Sequence, residues 1–362
     1  MIVTTEITIE PIRYGLVSQK PSLFCYNPSM EKSLVVILGP TSSGKTSLAI
    51  SLCKKYNGEI ISADSRQIYK YMDIGTGKVP VGKDVSIDKM PGTWKVDGVY
   101  THGYDWTVPG ANFTVVEYAR KAKEEIESCW RRGKIPFLVG GTGFYIDVVL
   151  GKVKTAGVAP DLKLRGELEK LSCENLFEKL KILDPIKSQT IDNKNKVRLI
   201  RSLEIATKIG FPNTTAILRS EYSRGNGNST DNNIKEGFSY DNSLVIGLKA
   251  SNELLYNKVD AWAEAITRSG ALEKEVRALL GRGYRESPQM KGLIYDTMVK
   301  YIDGETPYES MLERIKFDLH GYIRRQLTWF KRDQNINWFD ISSSELDNEA
   351  SKLIGEFLGH IG

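Results

Sequence analysis

Gly39-Pro40-Thr41-Ser42-Ser43-Gly44-Lys45-Thr46 directly follows the apolar run Leu34-Val35-Val36-Ile37-Leu38 and precedes Ser47 to Lys55, where apolar residues recur at helical spacing. A strand, a GxxxxGK[ST] loop and a helix in that order make a P-loop. They predict an α/β fold of the P-loop NTPase type, a parallel sheet flanked by helices. The glycines let backbone amides turn inward around an anion, and the helix N-terminus adds partial positive charge. Lys45 supplies a point charge and Thr46 a hydroxyl for Mg2+. All eight residues, 39 to 46, are therefore candidates for holding a diphosphate or triphosphate. The loop alone leaves the fate of the phosphate open, because ATPases, GTPases, kinases and some transferases share it.

The next segment narrows the choice. Lys54-Lys55-Tyr56-Asn57-Gly58 ends the first helix, with Gly58 expected just past its C-cap, and Glu59 to Ala63 reads as a second strand. Asp64-Ser65-Arg66-Gln67 follows at its carboxyl end, on the rim where open α/β sheets bind ligands. Alone, Asp64-Ser65 reads equally well as a helix N-cap. One βα step after a P-loop, Asp64 becomes a candidate for proton transfer beside the phosphates. A helix over 115–132 leads into a strand over 135–139, and Gly140-Gly141-Thr142 then opens another helix. That tripeptide is an ordinary βα turn unless Thr142 turns its hydroxyl toward the P-loop rim.

At this point the sequence resembles the tRNA dimethylallyltransferases, which place an isopentenyl group on N6 of adenosine 37 beside the anticodon. The matching stretches, in family order, are GPTSSGKT at 39–46, SADSRQIY at 62–69, MDIGTGK at 72–78, LVGGTGFY at 138–145, Arg198 to Glu204, and RRQLTWFKR at 324–332. The resemblance implies dimethylallyl diphosphate in the P-loop with Mg2+ on Thr46, and Asp64 as base with Lys45 and Thr142 completing the catalytic group. It also implies a tRNA anticodon stem-loop held by Asp64, Ser65, Arg66, Gln67, Thr142, Arg165, Arg198, Arg201, Arg324 and Arg325. The chain departs from the family at Lys258 and His320, each replacing an arginine, and at Lys291 to Thr297, where Tyr295 alone matches convincingly. Lysine keeps the charge but loses the bidentate fork.

The rest of the chain is organised around that core. With 362 residues there is room for two domains. We expect an N-terminal extension over 1–32 without signal-peptide character, a core over 33–154 and 242–342, a helical insertion over 155–241 and a C-terminal helix over 343–362. Within the insertion, Arg198 and Arg201 stand three apart on one helix face, either solvated or placed to grip phosphates. Its end, 213–242, is rich in Asn, Ser, Gly and Thr and reads as a mobile loop. The net charge of +5 is modest, but Arg314, Lys316, Arg324, Arg325, Lys331 and Arg332 interleave with Tyr322, Trp329 and Phe330. That pattern is a nucleic-acid footprint or an amphipathic helix with a solvated basic side. Four cysteines without a CxxC pair argue against zinc and disulfides. No apolar stretch reaches the ~18 residues of a membrane span. A cytoplasmic monomer is expected. An adenylate isopentenyltransferase acting on free AMP, ADP or ATP shares the first two motifs, and a small-molecule kinase shares only the P-loop.

Overall fold

The computed structural model describes residues 32–80, 85–153, 155–210 and 243–359. The expected N-terminal extension and the expected mobile loop lie almost wholly outside them. In chain order the elements are β1 (Leu34–Leu38), α1 (Lys45–Tyr56), β2 (Gly58–Ser62), β3 (Ile87–Met90), β4 (Thr93–Val96), β5 (Val99–His102), α2 (Val115–Arg131), β6 (Ile135–Gly140) and α3 (Gly143–Val149). Four helices follow, α4 (Leu162–Leu168), α5 (Cys173–Leu183), α6 (Pro185–Ser188) and α7 (Lys196–Ile209). The chain continues through β7 (Ser243–Lys249), α8 (Asn252–Arg268), α9 (Ala271–Gly281), α10 (Ile294–Ile302), α11 (Tyr308–Phe330), β8 (Asn337–Asp340) and α12 (Leu346–Gly359).

The eight strands form one sheet in the order β3-β4-β5-β2-β6-β1-β7-β8. From β5 to β8 every neighbour is parallel, and β3 and β4 extend the edge as an antiparallel hairpin. β1 and β6 are buried along their whole length, as continuous apolar runs in a two-sided sheet must be. One core cluster packs α2, α3 and α8 to α11 on one face, and another packs α1 and α12 on the opposite face. Helices α4, α5 and α7 close a third, separate cluster around Leu176, Leu180, Leu199 and Leu203. The insertion thus has an apolar centre of its own.

Gly58 stands just past the C-cap of α1, as expected, but the left-handed turn is not its own. The left-handed residue that ends α1 is Asn57, at φ 53°, whose amide returns to Cys53 O. Gly58 instead begins β2, and glycine is required there for space, since a Cβ would lie 2.5 Å from the Phe137 ring. Asparagine tolerates the left-handed region well enough to take the capping role.

Beneath the sheet lies a charged cluster that stabilises the core without joining the chemistry. Glu59 is only 4% exposed. His102 Nε2 lies 2.8 Å from its Oε2, Arg132 Nη2 donates to the same oxygen at 2.5 Å, and the Cys129 thiol lies 3.5 Å away. The Glu59, His102 and Cys129 ligand atoms stand close enough together for a metal ion. However, the guanidinium already occupies the shared oxygen, and burial with the Glu59 charge pushes the Cys129 thiol up to about 12. Burial works to raise the Glu59 carboxyl, yet its bonds to His102 and Arg132 outweigh it and hold the group at about 2. A folded-state value below the unfolded one stabilises above the unfolded value and is lost as pH falls through the folded one. The Glu59 contribution should therefore be complete near pH 5 and disappear towards pH 2, amounting to roughly 3 kcal/mol. Urea midpoints of Glu59→Gln against the parent chain from pH 3 to 7 should converge on the acid side. Parallel curves would remove Glu59 from the acid transition.

Candidate active site

β2, β6 and β1 are neighbours, so the loops leaving their carboxyl ends stand side by side. The ladders align Leu38 with Gly140 and Ser62 with Val139, which brings 39–46, 63–67 and 140–142 to one edge.

In the P-loop Ser42 and Gly44 have positive φ, 63° and 83°, so successive amides turn into one concavity at the start of α1. Gly44 takes the N-cap position of α1 with no side-chain cap bond, as an anion-receiving terminus should. Two of the loop's amides are already engaged, Thr41 N with Gln326 Oε1 at 2.9 Å and Ser43 N with Pro40 O at 3.3 Å. The amides left for an anion are those of Ser42, Gly44, Lys45 and Thr46. Lys45 Nζ donates to Pro40 O at 2.7 Å. Burial pulls its ammonium down to about 8, against the Asp64 charge, which supports the protonated form. Ser43 Oγ is buried with no hydrogen-bond partner among the described residues, an orphaned polar atom inside the loop. This cradle fits a diphosphate. Thr46, half-buried one residue into α1, offers the hard oxygen donor that Mg2+ takes alongside phosphate oxygens.

Asp64 is half-buried, and its Oδ1 accepts from the Arg66 amide at 2.9 Å. Among the described residues no donor reaches Oδ2, which leaves that oxygen free to take a proton. Burial first, and the Asp64 charge with it, raises the phenols of Tyr104, Tyr118, Tyr145 and Tyr322, so these hydroxyls stay neutral. Tyr118 stacks on Tyr145 with centroids 3.9 Å apart and donates to Ser62 O at 2.9 Å. Thr142 Oγ1 accepts from Ser65 N at 3.0 Å and lies 3.3 Å from Ser65 Oγ. Its hydroxyl thus faces the Asp64 segment. Gln67 bridges Ser62 Oγ at 2.7 Å and Thr76 O at 3.1 Å, so it holds two loops together.

Two parts of the site escape a reading of motifs. The first is Gln326, buried on α11, which accepts from Thr41 N and donates to Gly141 O at 3.0 Å. Its signal was present in the sequence. The buried face of α11 runs Met311, Ile315, Leu319, Ile323, Gln326, Phe330, so an amide occupies an apolar-stripe position. Trp329, on the same helix, donates to Asp147 at 2.9 Å, and a Cβ on Gly143 would come within 2.1 Å of its ring. The second is Glu275 of α9, whose carboxylate accepts from the amides of Asp73, Ile74 and Gly75 and from the Tyr295 hydroxyl. It fixes the 72–78 stretch, where the buried Lys78 ammonium bonds Tyr69 O, Asp73 and Asp105. Three consecutive amides converging on one distant carboxylate leave no pattern in the sequence.

The arginines do not behave alike. Arg165 forks onto both oxygens of buried Glu204, at 2.6 and 2.8 Å. Arg201 donates to Glu204 at 3.2 Å and to Val158 O at 2.7 Å. Arg198 is exposed. Arg201 thus pairs within the helical segment, and Arg198 stands outward. On α11, exposed Arg324 donates to the Tyr256 hydroxyl at 3.0 Å, and that ring stacks on His320, which bonds Asp260. Arg325 lines a groove of about 580 Å³ together with Lys291, Lys300 and Arg314.

Among family models, one described as IPP transferase matches residues 67–333, and one described as isopentenyl transferase matches 32–88. The chain belongs to the IPP transferase family. A curated relative from Carboxydothermus hydrogenoformans, tRNA dimethylallyltransferase, is 34% identical over 90% of this chain and 98% of its own. Another of the same name from Geobacillus thermodenitrificans is 36% identical over 87% and 93%. The crystal structure of a tRNA isopentenylpyrophosphate transferase from Bacillus halodurans is 30% identical, covers 91% of this chain and 98% of its own, and has a TM-score of 0.62. A eukaryotic dimethylallyltransferase structure, at 22% identity and a TM-score of 0.72, shares the fold. No helix among the described residues is long and apolar enough to cross a membrane.

Proposed function

We propose that this family member transfers the dimethylallyl group of dimethylallyl diphosphate to N6 of adenosine 37 in tRNAs reading codons that begin with U, as a cytoplasmic monomer. The observation that carries the reading is the shared edge of three loops, with an anion cradle on β1, a carboxylate after β2 and a hydroxyl after β6. The diphosphate sits in the amides of Ser42 and Gly44 to Thr46, where Lys45 offsets the charge that grows on the leaving group. Thr46 would hold Mg2+, which when bound would supply further neutralisation of the same charge. The exocyclic amine attacks the allylic C1, the N6–C1 bond forms as the C1–O bond breaks, and the amine proton passes to Asp64. The amine lone pair is delocalised into the ring, so removing the proton during attack helps by ~10²–10⁴-fold. The adenine must leave its stack to reach the allyl carbon, as expected for a single-stranded RNA loop.

A polynucleotide acceptor is favoured over AMP by the outward Arg198 on the insertion and by Arg324 and Arg325 on α11. Labelled dimethylallyl diphosphate offered with unmodified tRNA or with AMP tests the choice directly, and label should enter tRNA. Transfer to AMP at the same rate would assign the chain to adenylate prenylation instead. Arg198→Ala should weaken stem-loop binding and flatten the log Kd against log salt slope by about one unit, since one neutralised phosphate is lost. An unchanged slope would detach Arg198 from the RNA.

A further inference from the structure

The two loops that must present the two substrates leave neighbouring strands, and a single side chain bridges them beyond the ladder. Gln326 Oε1 accepts from Thr41 N at 2.9 Å and lies 3.2 Å from Thr41 Oγ1, while its Nε2 donates to Gly141 O at 3.0 Å. Gln326 is only 5% exposed, and it spans from the cradle loop to the residue before Thr142. A Cβ at Gly141 would lie 2.3 Å from Gln326 Nε2, so glycine at 141 is what admits the amide to this position. Both ends of the amide are used, and their chemistry fixes its orientation: the carbonyl oxygen can only accept and the NH2 can only donate. One planar group on a third element, α11, thus ties the cradle to the acceptor loop where the strand ladder ends.

We infer that Gln326 is a positioning residue that sets the distance between the donor's diphosphate and the acceptor's amine. The inference rests on the proposed transfer between two substrates and adds a residue that touches neither. Reaction in a ternary complex depends steeply on the separation of the reacting atoms, because a displacement of about 1 Å costs up to ~10²-fold. A crosspiece of this kind acts on turnover more than on the affinity of each substrate. Its use of Thr41 N also turns that amide away from the anion, which leaves the cradle to Ser42 and Gly44 to Thr46. The neighbouring residues on α11, Arg324 and Arg325, face solvent, so the helix that fixes the spacing also carries two exposed guanidinium groups toward any polyanion.

The test is Gln326→Met, which keeps the length and volume of the side chain but neither hydrogen bond, compared with Gln326→Glu, which keeps the acceptor for Thr41 and loses the donor to Gly141. Three readouts are needed: binding of inorganic pyrophosphate with Mg2+, binding of an unmodified anticodon stem-loop, and single-turnover prenyl transfer at saturating substrates. For Gln326→Met the transfer rate should fall about 30-fold, with both binding constants within about threefold of the parent. Gln326→Glu should fall between the two. If Gln326→Met does not fold, as judged by its melting curve, Gln326→Glu alone decides, and a parental transfer rate there overturns the inference. Losses in binding that equal the loss in rate would also overturn it, because they mark a general collapse of the loops. If the parent chain itself moves no label to tRNA, the proposed function fails and this inference falls with it, whereas a transferring parent matched by Gln326→Met overturns the inference alone.

Discussion

Asp64→Asn is expected to lower single-turnover prenyl transfer by ~10²-fold or more while both substrates still bind. Asparagine retains an oxygen for the Arg66 amide, the one hydrogen bond that the Asp64 side chain makes among the described residues. The turn after β2 should therefore keep its shape, and what disappears is the capacity to take a proton. One side effect follows from the geometry. The Asp64 charge supports the protonated form of Lys45, so its removal lowers the Lys45 ammonium further below about 8. The comparison therefore belongs near pH 7 and at saturating dimethylallyl diphosphate, where a modest loss of donor affinity cannot pass for a loss of chemistry. Near-parental turnover of Asp64→Asn under those conditions would reduce Asp64 to an orienting group and leave the proton to water.

Much of this site was legible before the fold was known, and the legible part has a common physical origin. The cradle, Asp64 and Thr142 are each local: a glycine-bearing turn between a strand and a helix, read over a few residues. The order of β2, β6 and β1 that places them together follows from the parallel βα pattern, since such sheets bind ligands at the strands' carboxyl ends. What sequence alone could not supply is long-range pairing. Gln326 meets Thr41 across 285 residues, and Glu275 meets the amides of 73–75 across some 200. The hairpin β3–β4 also stayed unread, because Ile87–Met90 is short and exposed along three of its four residues. Gly58 follows the C-cap as expected, but only the Phe137 ring shows why glycine is needed where the strand begins. For Arg165 and Arg201 the missing fact was Glu204, a buried carboxylate with which both guanidinium groups pair.

Lys45→Ala should lower kcat/KM for dimethylallyl diphosphate by ~10³-fold, the scale of removing one preorganised charge from a leaving group in a water-poor site. Stem-loop affinity should stay as in the parent, since Arg198 and the α11 arginines lie on other elements. Equal loss of both affinities would mean that Lys45 shapes the site rather than serving the diphosphate. The pH dependence gives an independent check with a definite sign. Burial holds Lys45 down at about 8, below the ~10.4 of a free lysine. The unfolded chain therefore binds that proton more firmly, and the buried ammonium costs stability below about pH 8. The cost fades as pH rises from there to the unfolded value. A bound diphosphate reverses the balance by favouring the charged form, so binding should take up a proton near and above pH 8. Pyrophosphate affinity of the parent chain should accordingly decline above about pH 8, whereas Lys45→Ala should bind weakly with no inflection there. Calorimetry in two buffers of different ionisation enthalpy would measure the proton directly, and its absence in the parent would place the charge of Lys45 elsewhere than on the diphosphate.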